Sequence, residues 1–394
     1  MAHSITIETA FGLSIPTSIT VVETRTSVIP SLNLSPLSNT VAYVLTFFMG
    51  FLPLLPIILR INGYESKVID KISLIGYTSL GFFTLSFTFL LAKDFLFQFV
   101  SFVNNFFNEQ QIVDESKRDF IKKSVSIGII GLTGSATAYG FYNARKGPKV
   151  IKENIFLKNL PPEFENYKIA QISDLHVGPT IKRPYVEKVF DTIANVNPDM
   201  LAVTGDLVDG SVENLRSDLE PFKDMIAKDG TFFVTGNHEY YSGVDRWLDE
   251  TDRLGMTNLI NSNSIIEKQE SKICIAGITD FRAHQIKKSH RSNPKRALNN
   301  VSNDIPKIVL AHQPNSIFSV HDSGADLQIS GHTHGGQFVP FNFPTKLANA
   351  YLAGLYDHDG TQIYVNRGTG YWGPPLRLGI PSEITELTLK RLAA

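Results

Sequence analysis

The chain has 394 residues, with 37 Lys and Arg against 38 Asp and Glu, for a net charge of -1. That balance excludes a nucleic-acid binder working through a basic surface, and one cysteine, Cys274, excludes an intramolecular disulfide framework or a Cys-rich zinc ribbon. The composition is split: residues 1–145 hold 16 of the 27 Phe but only 19 of the charged residues, so two solvents are implied.

Residues 1–39 show no usable pattern and are read as a tail. Residues 40–145 are read as an all-α transmembrane region of three or four helices. Val41–Leu59 and Leu74–Ala92 are free of charge and long enough to cross a bilayer. Pro53 and Pro56 are tolerable in such a helix. Ser124–Tyr142 also lacks charge but is rich in Gly, Ser, Thr and Ala. Phe95–Phe107 is too short to span alone. It extends the second helix, lies in the interface or adds a fourth crossing. If it crosses, the connection Arg60–Lys71 is cytoplasmic; if not, that connection lies outside. The basic flank Lys117–Lys123 precedes the last run and favours a cytoplasmic start, with everything after residue 145 outside.

Residues 146–165 are read as a linker and 166–394 as an α/β domain. Short β-rich runs recur at Lys168–Ile172, Met200–Thr204, Thr231–Thr235, Lys272–Ala276, Lys307–Ala311, Leu327–Ser330, Gln362–Asn366 and Glu383–Leu389. Helical stretches, Pro184–Asn195 and Leu215–Lys228, separate the first three. This alternation predicts a layered α/β fold. Several runs end in polar clusters, where α/β sheets place their chemistry. The clusters hold Asp174, His176, Asp206, Asn237, His238, His312, His332 and His334. Imidazole and carboxylate together suit divalent Zn, Mn, Fe or Ni. In Asp174-Leu175-His176 and His332-Thr333-His334 the period of two turns both side chains to one side of an extended segment.

The series Asp174-x-His176, Gly205-Asp206, Gly236-Asn237-His238-Glu239, His312 and Gly331-His332-Thr333-His334 resembles the calcineurin-like metallophosphoesterase superfamily across about residues 166–390. Gly335-Gly336-Gln337 and Gly368-Thr369-Gly370-Tyr371-Trp372-Gly373-Pro374-Pro375 resemble its bacterial membrane-associated branch, which includes twin-arginine-exported phosphoesterases. The segment Ser116–Lys122 is itself similar to a twin-arginine motif. The resemblance implies a four-layer αββα sandwich and two divalent cations. Asp174, His176 and His334 would hold the first, Asn237, His312 and His332 the second, and Asp206 would bridge them. A hydroxide shared by the cations would attack phosphorus in line with the leaving oxygen, which His238 would protonate.

Asp209 and Glu239 are expected to orient ligands. Spacing leaves open whether Asp280 and Arg282 line the site. His284, His290, His321 and His358 read as ordinary surface or loop histidines, and Cys274 as a buried small hydrophobe. The run Phe338-Val339-Pro340-Phe341-Asn342-Phe343, with Tyr371-Trp372, is either a packed lid or a greasy rim that meets a membrane or a lipid chain.

The expectation is a membrane-tethered, dinuclear metal-dependent phosphohydrolase acting on a phosphate ester, such as a phospholipid, with no nucleic-acid partner. It would sit in a bacterial inner membrane with its catalytic domain extracytoplasmic. One alternative is a pyrophosphatase acting on a lipid-linked UDP-sugar of the UDP-diacylglucosamine type, which would need a cytoplasmic active site. Another is a catalytically silent membrane scaffold.

Overall fold

The computed structural model describes residues 36–107, 115–224 and 227–392. The expected tail therefore lies outside the described residues up to residue 35. Among the described residues four helices come first: α1 (Pro36–Phe51), α2 (Leu54–Ile61), α3 (Lys67–Phe106) and α4 (Glu115–Arg145). Pro53 separates α1 from α2, and Gly63, at φ +80°, turns the chain towards α3. The chain divides into two compact units. One takes 89–129 and the start of α1; the other takes 44–88 and everything from residue 130 onward.

Among the described residues two segments are long and apolar enough to cross a membrane, Tyr43–Arg60 and Lys67–Asn104, with only 11% and 17% of their spans buried. Outward-facing apolar side chains are the reverse of a soluble core helix. The expected three or four spans are corrected to two. Phe95–Phe107 is not a separate crossing, because α3 runs on without a break to Phe106. The Ser124–Tyr142 run is helical within α4, but Gly128, Gly131, Gly134 and its hydroxyl residues dilute its hydropathy.

The remainder is built on two six-stranded sheets. In chain order the strands are β1 (Lys149–Leu157), β2 (Lys168–Ile172), β3 (Met200–Val203), β4 (Thr231–Phe233), β5 (Thr257–Asn258), β6 (Ser262–Lys268), β7 (Ser271–Gly277), β8 (Lys307–Leu310), β9 (Leu327–Ser330), β10 (Gly354–His358), β11 (Thr361–Val365) and β12 (Glu383–Arg391). The first sheet has the order β1-β12-β2-β3-β4-β5 and the second β10-β11-β9-β8-β7-β6. The stretch 146–165, read as a linker, thus carries β1, which pairs in parallel with β12 along its whole length. Its half-apolar pattern hid it, since it is an edge strand with one face open to solvent.

Side-chain alternation divides the core. On β2 and β3, Ile169, Met200 and Ala202 point between the sheets, where they meet Ile275, Ile308, Leu310 and Ile329. Ala170, Ile172, Leu201 and Val203 point the other way. There they meet α5 (Arg183–Val196), α6 (Val212–Leu219) and Trp247 of α8 (Val244–Arg253); the short α7 (Asn237–Tyr241) precedes α8. Ala297, Leu298 and Val320 cover the outer face of the second sheet against Cys274, Ala276 and Val309. The layers are therefore helix, sheet, sheet, helix. Both faces of each central strand are buried, which explains why these strands are continuous apolar runs. The helix expected over Leu215–Lys228 starts earlier, at Val212, and tightens into a 3-10 turn at Glu220–Asp224. Pro221 cannot donate to continue it.

Strands β2, β3, β4 and β5 run parallel, as do β7, β8, β9 and β11. The loops leaving β2, β3, β4, β8 and β9 carry the polar clusters, and the site lies beyond these carboxyl ends.

Candidate metal centre

Among the described residues three groups of side chains bring their donor atoms within 4.8 Å of one another: Asp174, His176 and His334; His176, Asp206 and His238; and Asp206, His312 and His332. Asp206 and His176 each belong to two groups. His176 Nε2 and His334 Nε2 face each other at 3.1 Å, and His332 Nδ1 and His312 Nε2 at 3.2 Å. Asp206 Oδ2 is 3.1 Å from His312 Nε2 and 3.9 Å from His176 Nε2. Asn237 Oδ1 is buried with no hydrogen-bond partner. A buried amide oxygen left without a donor is costly unless something else meets it. Converging imidazoles and carboxylates fit a divalent cation, and an amide oxygen is a further donor of the right type. Seven of the eight residues singled out in the sequence are drawn together, and Asn237 directly precedes one of them, His238.

The backbone is strained to achieve this. Asp174, His176, Asp206, His332 and His334 all have positive φ, between 52° and 71°. Such conformations cost about 1–3 kcal/mol each in non-glycine residues and cluster at functional sites. No sequence signal marked them.

The ring tautomers are set from behind. His312 Nδ1 donates to the Thr204 carbonyl at 2.8 Å, freeing Nε2. His176 Nδ1 donates to Asp209 Oδ2 at 3.1 Å, and His238 Nδ1 donates to Asp209 Oδ1. Glu239 accepts from the backbone N–H groups of Asp206, Leu207 and Gly236 at 3.0, 2.7 and 2.6 Å, and so pins the β3 and β4 loops together. Asp209 and Glu239 both touch the groups they were expected to orient. Arg377 is an unanticipated neighbour: its buried guanidinium reaches the His334 carbonyl and lies 3.0 Å from His334 Nδ1. Nothing in its surrounding sequence marks it.

Charge follows this geometry. Burial alone would raise the Asp206 carboxyl, but His312 and His238 hold it well below the usual range. Burial raises the Asp174 carboxyl. Burial, with His312 beside it, pushes His332 down to about 3, and burial with Arg377 pushes His334 well below its ordinary value. Those two rings keep free lone pairs. Burial opposes protonation of His238, yet Asp209 and Asp206 lift it to about 10. Burial likewise opposes protonation of His312, yet Asp206 lifts it well above its ordinary value, so the centre combines carboxylates and two lowered rings with raised imidazoles at His238 and His312.

Asp280 is buried near His312, receives Gln313 Nε2 at 2.8 Å and is raised by burial. His290 bonds Tyr240, His321 bonds Thr361 and His358 bonds Tyr351, all away from the donor groups. Cys274 is buried. The aromatic run divides: Phe338 is buried, whereas Phe341 and Phe343 are exposed. Trp372 is 55% exposed, with its ring centroid 5.6 Å from that of His238.

Comparison with known proteins agrees with this geometry. The calcineurin-like phosphoesterase family matches over residues 167–336. A zebrafish (Danio rerio) "transmembrane protein with metallophosphoesterase domain" is 32% identical, with 81% of this chain and 74% of that protein aligned. An uncharacterized metallophosphoesterase of Helicobacter pylori is 38% identical over 70% of this chain and 72% of its own length. YkuE of Bacillus subtilis, another uncharacterized metallophosphoesterase, is 29% identical over 70% of this chain and 98% of its own. With the metal-type donor groups held at the strand ends, the chain belongs to the calcineurin-like metallophosphoesterase family and is a hydrolase of phosphoric ester bonds.

Proposed function

We propose that the chain is a membrane-tethered phosphohydrolase holding two divalent cations. Asp174, His176 and His334 would hold one, Asn237, His312 and His332 the other, with Asp206 between them. The observation that carries this is the convergence of two donor groups, Asp174–His176–His334 and Asp206–His312–His332, each with its donor atoms within 4.8 Å of one another, and Asn237 Oδ1 is a further buried oxygen without a partner. Bound there, the cations would lower the pKa of water and neutralise phosphoryl oxygens. The chain's own residues do the rest. Asp209 holds the Nδ1 proton of His238 and turns its Nε2 towards Asp206, 4.0 Å away. From there His238 donates the Nε2 proton to the leaving oxygen. Glu239 and Asp174 keep the loops in register by accepting backbone N–H groups.

The substrate we favour is a lipid phosphate ester. Trp372 stands beside His238, and the loop it begins continues into Pro374 and Leu376, which lie against Gly81 of α3; Leu376 also touches Gly140 of α4. Arg377 N–H donates to the Gly140 carbonyl at 3.0 Å. Phe341, Phe343 and Leu347, on the segment that follows the His332–Gln337 loop, are exposed apolar side chains as well. An apolar rim between a phosphoryl site and lipid-facing helices suits an acyl chain. With Tyr43–Arg60 and Lys67–Asn104 as the candidate spans, the basic flank Lys117–Lys123 and the catalytic domain fall on the same side of the membrane, so the flank does not place the domain outside.

The test is a doubly substituted protein, Phe341→Ser with Phe343→Ser. Its turnover of a phospholipid in mixed micelles should fall about tenfold while its turnover of a soluble p-nitrophenyl ester holds. Equal turnover of both by variant and wild type would remove the lipid reading.

A further inference from the structure

The turn between α2 and α3 is held against the residues that follow β3. Arg60 Nη2 donates to the Asp209 carbonyl at 2.5 Å. The same guanidinium pairs with Glu65 at 3.1 Å and Asp70 at 3.4 Å and is only 14% exposed. Glu65 in turn accepts from the Ser211 N–H at 3.3 Å, from Ser211 Oγ at 2.6 Å and from Asn214 Nδ2. The peptide on each side of Gly210 is therefore held from the hairpin. Gly210 itself is wedged in: a Cβ there would lie 2.6 Å from Arg60 Nη2 and 2.8 Å from Glu65 Oε1, at φ +152°. The domain also holds this tripeptide itself, through the Asp209 N–H to the Val177 carbonyl at 2.8 Å, Trp247 Nε1 to the Gly210 carbonyl at 2.9 Å, the Gly210 N–H to Ser242 Oγ at 3.2 Å, and the Asn214 and Leu215 N–H groups to the Ser211 carbonyl at 3.2 and 3.1 Å.

This tripeptide begins with Asp209, whose two carboxylate oxygens hold His176 and His238. We propose that Arg60 and Glu65, on the turn between the two apolar helices, are positioning residues for catalysis: they fix the Asp209 backbone and thereby aim His238. The proposal rests on the phosphohydrolase reading above, with His238 as the proton donor. Its physical basis is that proton donation needs hydrogen-bond reach, and small displacements of a donor are costly in rate. Without the hairpin's donor at 209 and acceptor at 211, the Asp209 carboxylate can drift and His238 loses its aim, whereas His176 keeps the contacts of its Nε2 with His334 and Asp206.

The experiment uses the full chain in detergent with Mn²⁺ and compares Arg60→Gln, Glu65→Gln, Lys182→Ala and His238→Ala. Each is assayed on a p-nitrophenyl diester, whose leaving group needs little protonation, and on a matched alkyl or phenyl ester, which needs it. Arg60→Gln and Glu65→Gln should each lower turnover of the poor-leaving-group ester about tenfold and of the p-nitrophenyl ester less than about threefold. KM and bound Mn²⁺ should not change. Lys182 joins the same hairpin through Asp70 at 2.9 Å without touching residues 209–211, so Lys182→Ala should leave the ratio alone. In the His238→Ala background, Arg60→Gln should have no further effect on the ratio, since both act through one group.

Equal losses on both esters would mean that the hairpin merely docks the domain, and would overturn the proposal. So would an unchanged ratio in both variants, or the same shift in Lys182→Ala. If one variant fails to insert, the other decides, because the two residues hold different atoms of the same peptide. Full activity of His238→Ala on both esters would instead reject the proton-donor role on which the proposal rests.

Discussion

Gly331 and Asp174 approach so closely that no side chain fits between them: a Cβ at position 331 would lie 2.3 Å from Asp174 Oδ2 and 1.9 Å from Ser173 Oγ. The loops leaving β9 and β2 touch through bare backbone, and the Asp174 carboxylate takes the His332 N–H at 2.9 and 3.0 Å. Gly331→Ala must therefore push Asp174 away from His334. The expected outcome is a loss of at least about a hundredfold in turnover, of the order that misplaced catalytic groups produce, with less than the full complement of bound metal by elemental analysis. A variant with normal metal content and normal turnover would show that the two loops can part without consequence.

His238 has a different role from the ring donors around it, so its loss should look different. His238→Ala is expected to lower turnover about 10²–10⁴-fold, the usual worth of general acid catalysis, while metal content stays at the wild-type level. Elemental analysis beside initial rates separates the two. Loss of metal together with activity would place His238 among the ligands instead.

Stability away from the site should depend on pH through Glu250. This carboxylate is buried on α8 and joined by Arg216 at 2.8 Å and Arg253 at 2.5 Å. Burial would raise its pKa, but the two guanidinium groups outweigh it and hold it below the ordinary 4.5. A folded-state value below the unfolded one gives stability that is complete above about pH 4.5 and lost as pH falls through the lowered value. Glu250→Gln should thus cost about 1–2 kcal/mol at pH 7, read as a drop in melting temperature. The gap to wild type should narrow below pH 4.5. A gap that stays constant down to pH 3 would mean that the carboxylate charge contributes nothing.

Much of this protein is legible in its sequence. The central strands are apolar on both faces, so runs such as Met200–Thr204 stand out, and each ends in the polar residues that form the centre. The recurrent Gly before Asp206, Asn237 and His332 marks backbone packed too closely for a side chain. What stayed hidden has physical reasons. β1 alternates as an edge strand does and reads like a linker. Absence of charge makes Ser124–Tyr142 resemble a span, but Gly and Ser leave α4 only weakly apolar. Arg60, Glu65 and Arg377 act over separations of 149, 146 and 43 residues, and no local pattern signals such contacts.

The central claim is a cation pair bridged by Asp206, and one comparison tests it most directly. Wild-type protein and Asp206→Asn, both supplied with Mn²⁺, would be assayed on bis-p-nitrophenyl phosphate with and without chelator, and their bound metal measured. Chelator-sensitive turnover in the wild type, absent from Asp206→Asn although that protein still inserts and folds, is the predicted result. Full turnover by Asp206→Asn with its metals in place would contradict the bridging assignment and the two-cation centre built on it.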